Sequence, residues 1–370
     1  MTEGMERKGD ERDFFYLFIK NNFIMIRILT ITLVLSFFAL TSFAQQRVIL
    51  QSNGNASVFG GASAFTDAYD AASNGDTLYL PGLQFSVPSA FDKSLTIFGT
   101  GYHPDHTEAT GVTRLSGTIN INAGATGSHF EGIYFTHNIS FAAAKIDNVT
   151  IKRCFITTGV TLNGLSDDLS DNITISECII TGTFNGRLTK NLIFENSILF
   201  HATRGMFINI RSNAWVHNNI IIGSSSDVNS IRMIFGLSDS LFENNIFYDA
   251  GGSRHFSDVS NNTFNNNVFN WNPTGDANNT WNNNFTGVNI PDIFINYTGN
   301  SFSFEADYNL VEPASYQGTT GNQVSIYGGL NPFKDNTRPS NPQILSKDIQ
   351  NSTDVDGNLG VEIEVEAQDE

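Results

Sequence analysis

Three arginines stand just before apolar residues in similar segments: Arg204-Gly205-Met206-Phe207, Arg232-Met233-Ile234-Phe235 and Arg254-His255-Phe256. Only 20 of 370 residues are Lys or Arg, so three arginines in one kind of segment call for a reason. A guanidinium is a rigid fork that grips carboxylate or sulfate through two parallel hydrogen bonds. Stacked at a strand separation near ~4.8 Å, Arg204, Arg232 and Arg254 could engage an extended anionic chain together. His255 would then be the candidate proton acceptor beside Arg254. The competing account is local pairing with Asp227, Asp249 and Asp258, which would only tie down loops.

A second constellation is Glu195, His217 and Glu243, each two residues after Ile193, Trp215 and Leu241. If the three lie on successive strands, two carboxylates about 9–10 Å apart would flank an imidazole, a set able to do acid–base work or hold a metal. An exposed Trp215 beside them would suit the apolar face and hydroxyls of a sugar ring. The simpler reading is a ladder of alternating charge on a solvated face, and Glu131 followed by Lys152 at the same position supports it. His103, Asp105, His106 and Glu108 are metal-ligand types in the loop 99–111, but their Gly and Pro neighbours read as a solvated loop. Asp167-Asp168 is likewise read as a loop pair, and Asp354-Val355-Asp356-Gly357-Asn358 as a turn in which the Gly is misplaced for a calcium loop. No metal site and no cofactor are therefore assigned, and calcium is not indicated.

The elements that must position these residues are repeats. Val149–Cys154, Ile173–Cys178, Leu192–Ser197, Ala214–Asn219, Ser240–Asn245 and Asn262–Asn267 align, with last positions 24, 19, 22, 26 and 22 residues apart. A spacing in this range is the mark of a stacked solenoid. The local period is two: Ile151, Ile175, Phe194, Val216, Phe242 and Phe264 are flanked by mostly polar residues, as half-buried strands require. Stacking would place Asn219, Asn245 and Asn267 in one column, a buried Asn ladder continued by Cys154, Cys178 and Ser197. Two free buried thiols are favoured over a disulfide, because Cβ vectors in a ladder run parallel. The pattern resembles the right-handed parallel β-helix proteins, the superfamily that includes pectate lyases, over residues 75–329. The resemblance implies an all-β solenoid of about nine to eleven coils with a polysaccharide-binding groove along its side. Motifs of the enzymatic members are incomplete here. There is no Gly-His-Gly, no Arg-x-Lys and no Asn-Lys-Ser, and Arg254-His255 is a fragment of an Arg-His-Gly.

The chain carries a formal net charge of −17, which opposes nucleic acid and anionic membrane surfaces as partners. Residues 25–44 read as a signal peptide, with Arg27, an apolar run from Ile28 to Leu40 and a Ser42-Phe43-Ala44 cleavage site. Residues 1–24 then read as a gene-model extension. Residues 45–76 read as a strand and helix cap, 77–333 as the β-helix, and 334–370 as a C-terminal β-hairpin segment that caps or extends the C-terminal end. Gln323–Gly329 is read as the final coil. The function expected is an exported module, secreted, periplasmic or at the cell surface, that contacts a polysaccharide, with an anionic one favoured by the arginines. A polysaccharide lyase or glycoside hydrolase acting on uronic-acid glycans is the alternative.

Overall fold

The computed structural model describes residues 46–201, 206–223, 234–250, 256–273, 278–297 and 302–367. The leader read at 25–44 and the extension at 1–24 lie outside the described residues. Each six-residue copy becomes one short strand because a left-handed residue stands at either end. Asn148 (φ 56°) and Arg153 (φ 49°) bracket the strand Thr150–Lys152, and Asn191 (φ 50°) and Asn196 (φ 43°) bracket Ile193–Glu195. The pairs Asn213/Asn218, Asp239/Asn244 and Asn261/Asn266 do the same further along. Asn tolerates this backbone region and bonds its own main chain, which accounts for 12 Asn among residues 261–284.

These strands stack into the first of three parallel sheets. It holds ten parallel strands, from Thr77–Tyr79 to Thr280–Asn282, with an antiparallel hairpin (Arg47–Ser52 and Asn55–Gly60) on its edge. The second sheet has nine strands and the third seven, so among the described residues seven turns carry a strand on all three sides. The fold is the all-β parallel solenoid read from the repeat. Ile151, Ile175, Phe194, Val216, Phe242 and Phe264 are partners in register and wholly buried inside it.

The Asn ladder is present. Asn219 Nδ2 donates to Asn245 Oδ1 (2.9 Å), and Asn245 Nδ2 donates to Asn267 Oδ1 (2.9 Å); all three side chains are fully buried. Each carboxamide also takes a backbone N–H of the preceding turn, as Asn245 Oδ1 does from Asn219 N (3.0 Å). A second ladder, Ser240–Asn262–Asn279, runs beside it. Cys154 and Cys178 are buried free thiols.

The open end of the first turn is closed by the hairpin and by the helix Ala64–Ala71, whose Phe65, Ala68 and Tyr69 are buried. Ser63 is its N-cap residue, and its hydroxyl bonds the Asp67 side chain (2.6 Å) instead of a backbone N–H.

The other end departs from expectation. Gln323–Gly329 does not form a coil; the first sheet ends at Thr280–Asn282. From about residue 288 the chain folds back over the outer face of the second sheet. The outward residues there are apolar: Phe155, Ile179, Ile198, Ile220, Ile246 and Val268. They form a second core with Ile290, Phe294, Tyr308, Leu310, Val324, Ile326 and Phe333. Leaving such a row in water would cost roughly 25 cal/mol per Å2, which is why the segment lies down on it and does not add another turn.

The chain then travels back toward the early turns. Asn266 bonds Gln317, Asn244 bonds Thr319, Asn218 bonds Ser325, Asn196 bonds the carbonyls of Ile326 and Gly328, and Gln343 bonds the carbonyl of Gly99. The C-terminal hairpin (Gln343–Ile349 and Val361–Glu366) is present, but it leaves the body beside the early turns and does not cap the last one. No helix among the described residues is long and apolar enough to cross a membrane.

Candidate functional site

The outer face of the first sheet brings together the row read from the sequence. Register pairs Ile193 with Trp215 and Leu241, and Glu195 with His217 and Glu243. Trp215 is 44% exposed, whereas Ile193 and Leu241 are half-buried, so the expected strip of three apolar residues is one projecting indole between two partly covered aliphatics.

The indole is held rigidly. Its ring lies over the His217 imidazole at 3.9 Å between centroids, and its Nε1 donates to Glu243 Oε2 of the next turn (3.0 Å). The other oxygen of Glu243 accepts from Asn265 Nδ2 (3.0 Å), so both carboxylate oxygens are engaged. His217 is largely buried; its Nδ1 lies 3.2 Å from Asn218 Oδ1. Its Nε2 lies 3.2 Å from Glu195 Oε2, a close polar contact without the alignment of a hydrogen bond. Burial alone would raise the Glu195 carboxyl. The contact and charge of His217, Ser176 and the charge of Lys152 outweigh it and hold the group below the usual carboxylate range.

Three turns earlier the same face carries an ion cluster that reading the sequence missed. Arg153 is 1% exposed and lies between two carboxylates. Its Nε and Nη2 donate to Glu177 (3.0 and 3.3 Å), and its Nη1 donates to Glu131 Oε1 (3.2 Å). Glu131 also meets His129 Nε2 (2.9 Å) and accepts from the Ser340 N–H and hydroxyl (both 3.0 Å). Lys152 Nζ is 3.7 Å from Glu177. Burial would raise the Glu131 carboxyl, but the bond and charge of His129 with the charges of Arg153 and Lys152 hold it low.

Arg153 (φ 49°) and Glu177 (φ 53°) occupy the left-handed corner that later turns give to Asn. Long side chains there are uncommon and carry backbone strain. The signal was available: the residue before each ladder position is Asn196, Asn218, Asn244 and Asn266, yet Arg153 and Glu177 break that column.

Arg204, Arg232, Arg254 and His255 lie outside the described residues. The register beside them is defined and changes the expected alignment. Phe207 pairs with Ile234 and Ile234 with Phe256, so Phe235 is not the equivalent residue. By sequence offset Arg232 and Arg254 stand two residues before their aligned partners, and Arg204 stands three before. Asp258, a candidate partner for these arginines, pairs with Arg211 (3.1 Å).

In the loop 99–111, His103 Nδ1 accepts from Asp105 N (3.2 Å), and the His103 and His106 rings pack at 4.5 Å. Among the described residues no group of three or more ligand side chains converges on one point. Asp168 pairs with Lys145 (2.9 Å), and Asp354 accepts the N–H groups of Asp356 and Asn358 within its turn. Comparison with protein-family models, with curated proteins and with solved structures gave no match.

Proposed function

We propose that this chain is an exported β-solenoid module that binds a polysaccharide along the outer face of its first sheet. The observation that carries the reading is Trp215. It is a large, half-exposed aromatic locked by His217 and Glu243 in a row of hydrogen-bonding groups spaced by the strand separation. A rigid aromatic platform beside fixed acceptors is what a hydroxyl-rich ring requires. The leader read at residues 25–44 supports export.

Binding is favoured over hydrolysis by the state of the carboxylates. A general acid needs a raised pKa and access to the leaving oxygen. Glu195 is held low, Glu243 has both oxygens occupied, and His217 fills the space between them. The described part of the face favours a neutral chain, since Glu195 and Glu243 would oppose uronates. An anionic chain would depend on Arg204, Arg232 and Arg254, and His255 is the base that a lyase would use.

The test is a titration of the full chain with neutral and uronic-acid polysaccharides, followed by tryptophan fluorescence and by affinity electrophoresis. Unsaturated products absorbing at roughly 235 nm are followed in parallel. Trp215→Ala is expected to weaken binding about tenfold or more while leaving the circular dichroism unchanged. Unaltered affinity in Trp215→Ala would remove this face as the site, and product formation at that wavelength would favour the lyase.

A further inference from the structure

On another side of the molecule, over the second sheet, lies a cavity of about 250 Å3. Its floor is Ile179 and Ile198, outward residues that are partners on adjacent turns. Its walls are aromatic and come from the segment that folds back. Phe302 and Phe304 meet edge to face at 5.0 Å, Phe302 lies nearly parallel to Tyr308 at 6.4 Å, and Phe333 also lines the cavity. His103 packs its ring against Phe304 at 4.7 Å.

The rim is polar and carries two carboxylates, with His106 beside them. Asp335 Oδ1 accepts from the Tyr327 hydroxyl (2.6 Å), and Asp307 Oδ1 accepts from the backbone and side chain of Asn309 (2.9 and 2.8 Å). In each carboxylate Oδ2 is left without a partner among the described residues. Neither group forms an ion pair there, and no Lys or Arg lines the cavity. Burial, and then the neighbouring His106, lower the pKa of His103.

We propose that this cavity is a binding site for a small organic cation with an apolar body, a primary amine carried on a single aromatic ring. The isoleucine floor and the ring walls match the body, because a hydroxylated sugar would leave that surface unmatched. The two rim carboxylates and the electron-rich ring faces match the ammonium. An anion of the same shape would meet uncompensated negative charge. The volume has room for one ring. The site does not depend on the polysaccharide reading, since the face of the first sheet and this cavity share no residue.

The test is calorimetric titration of the full chain with three probes of one shape: phenethylammonium, phenylacetate and 2-phenylethanol. Phenethylammonium is expected to bind with a Kd below about 1 mM, and phenylacetate about tenfold more weakly or not at all. Asp335→Asn and Asp307→Asn should each weaken the amine about fivefold or more and leave the alcohol unchanged. Asn keeps the acceptor oxygen that Tyr327 and Asn309 use, so these variants are expected to fold. Ile198→Ala should weaken the amine and the alcohol together. The proposal is overturned if phenylacetate binds as well as the amine, if both carboxamide variants bind the amine unchanged, or if the amine gives no heat at about 10 mM.

Discussion

Asn245 sits between Asn219 and Asn267 with no exposure, and its carboxamide joins three successive turns. Its Nδ2 also reaches the Val216 carbonyl (2.8 Å). Leucine at this position would fill a similar volume and orphan the buried groups around it. Asn245→Leu is therefore expected to cost about 1–3 kcal/mol, read from the midpoint of urea unfolding. Glu131 gives a second test. Its folded pKa is depressed, so between its folded and unfolded values the unfolded chain binds more protons. The stabilisation is full above the ordinary carboxylate value of about 4.3 and is lost as pH falls through the folded value. Glu131→Gln should remove that part of the acid dependence. It should also cost about 3 kcal/mol near neutral pH, because buried Arg153 would then face one carboxylate, Glu177, instead of two. Urea unfolding at several pH values measures both effects.

The strands of the first sheet are three residues wide because left-handed corners bound them, and a corner column is also where the returning segment attaches. Asn196, Asn218 and Asn244 face that segment and bond it, at 2.8, 3.2 and 3.2 Å. The hairpin that follows is different. Val361, Ile363 and Val365 are as exposed as the glutamates between them, so neither face of the ribbon is covered. A two-stranded ribbon in water contributes little by itself. Beyond Gln343, which bonds the Gly99 carbonyl, its side-chain tie to the body among the described residues is Arg338 with Glu366 (3.0 Å), with the glutamate exposed. Removing residues 344–367 is expected to change unfolding free energy by less than about 1 kcal/mol, checked by thermal and urea unfolding.

At the scale of the whole molecule, two cores among the described residues share the second sheet. One lies inside the solenoid, and the other lies outside, between Phe155, Ile179, Ile198, Ile220 and Ile246 and the segment from Ile290 to Phe333. A chain that stops at about residue 287 would keep the inner core and its ladders. It would expose a continuous apolar stripe across adjacent turns, and such a patch drives association. That truncated chain is expected to bind 8-anilinonaphthalene-1-sulfonate and to elute as aggregates in size-exclusion chromatography, with strand content largely retained by circular dichroism.

Much of this was legible in the residues. A solenoid turn contacts only its neighbours, so the period, the inward apolar residue and the Asn at each strand end determine one another locally. For that reason Ile151 to Phe264, the ladder of Asn219, Asn245 and Asn267, and the row of Glu195, His217 and Glu243 could be aligned from spacing. Long-range choices carry no such period. Whether Val324 and Ile326 would continue the solenoid or cover it depended on the outward residues of the second sheet, such as Ile179 and Ile198, whose short strands open on two apolar residues in a row and so read the same on both faces. The ion cluster likewise needed Ser340 to arrive at Glu131, 209 residues away in the chain. The cavity needed residues from three distant segments: the loop at His103, the strands at Ile179 and Ile198, and the returning chain at Phe302 to Thr337. Local stacking was thus written in the repeat, and the tertiary structure decided what lies on the outside of it.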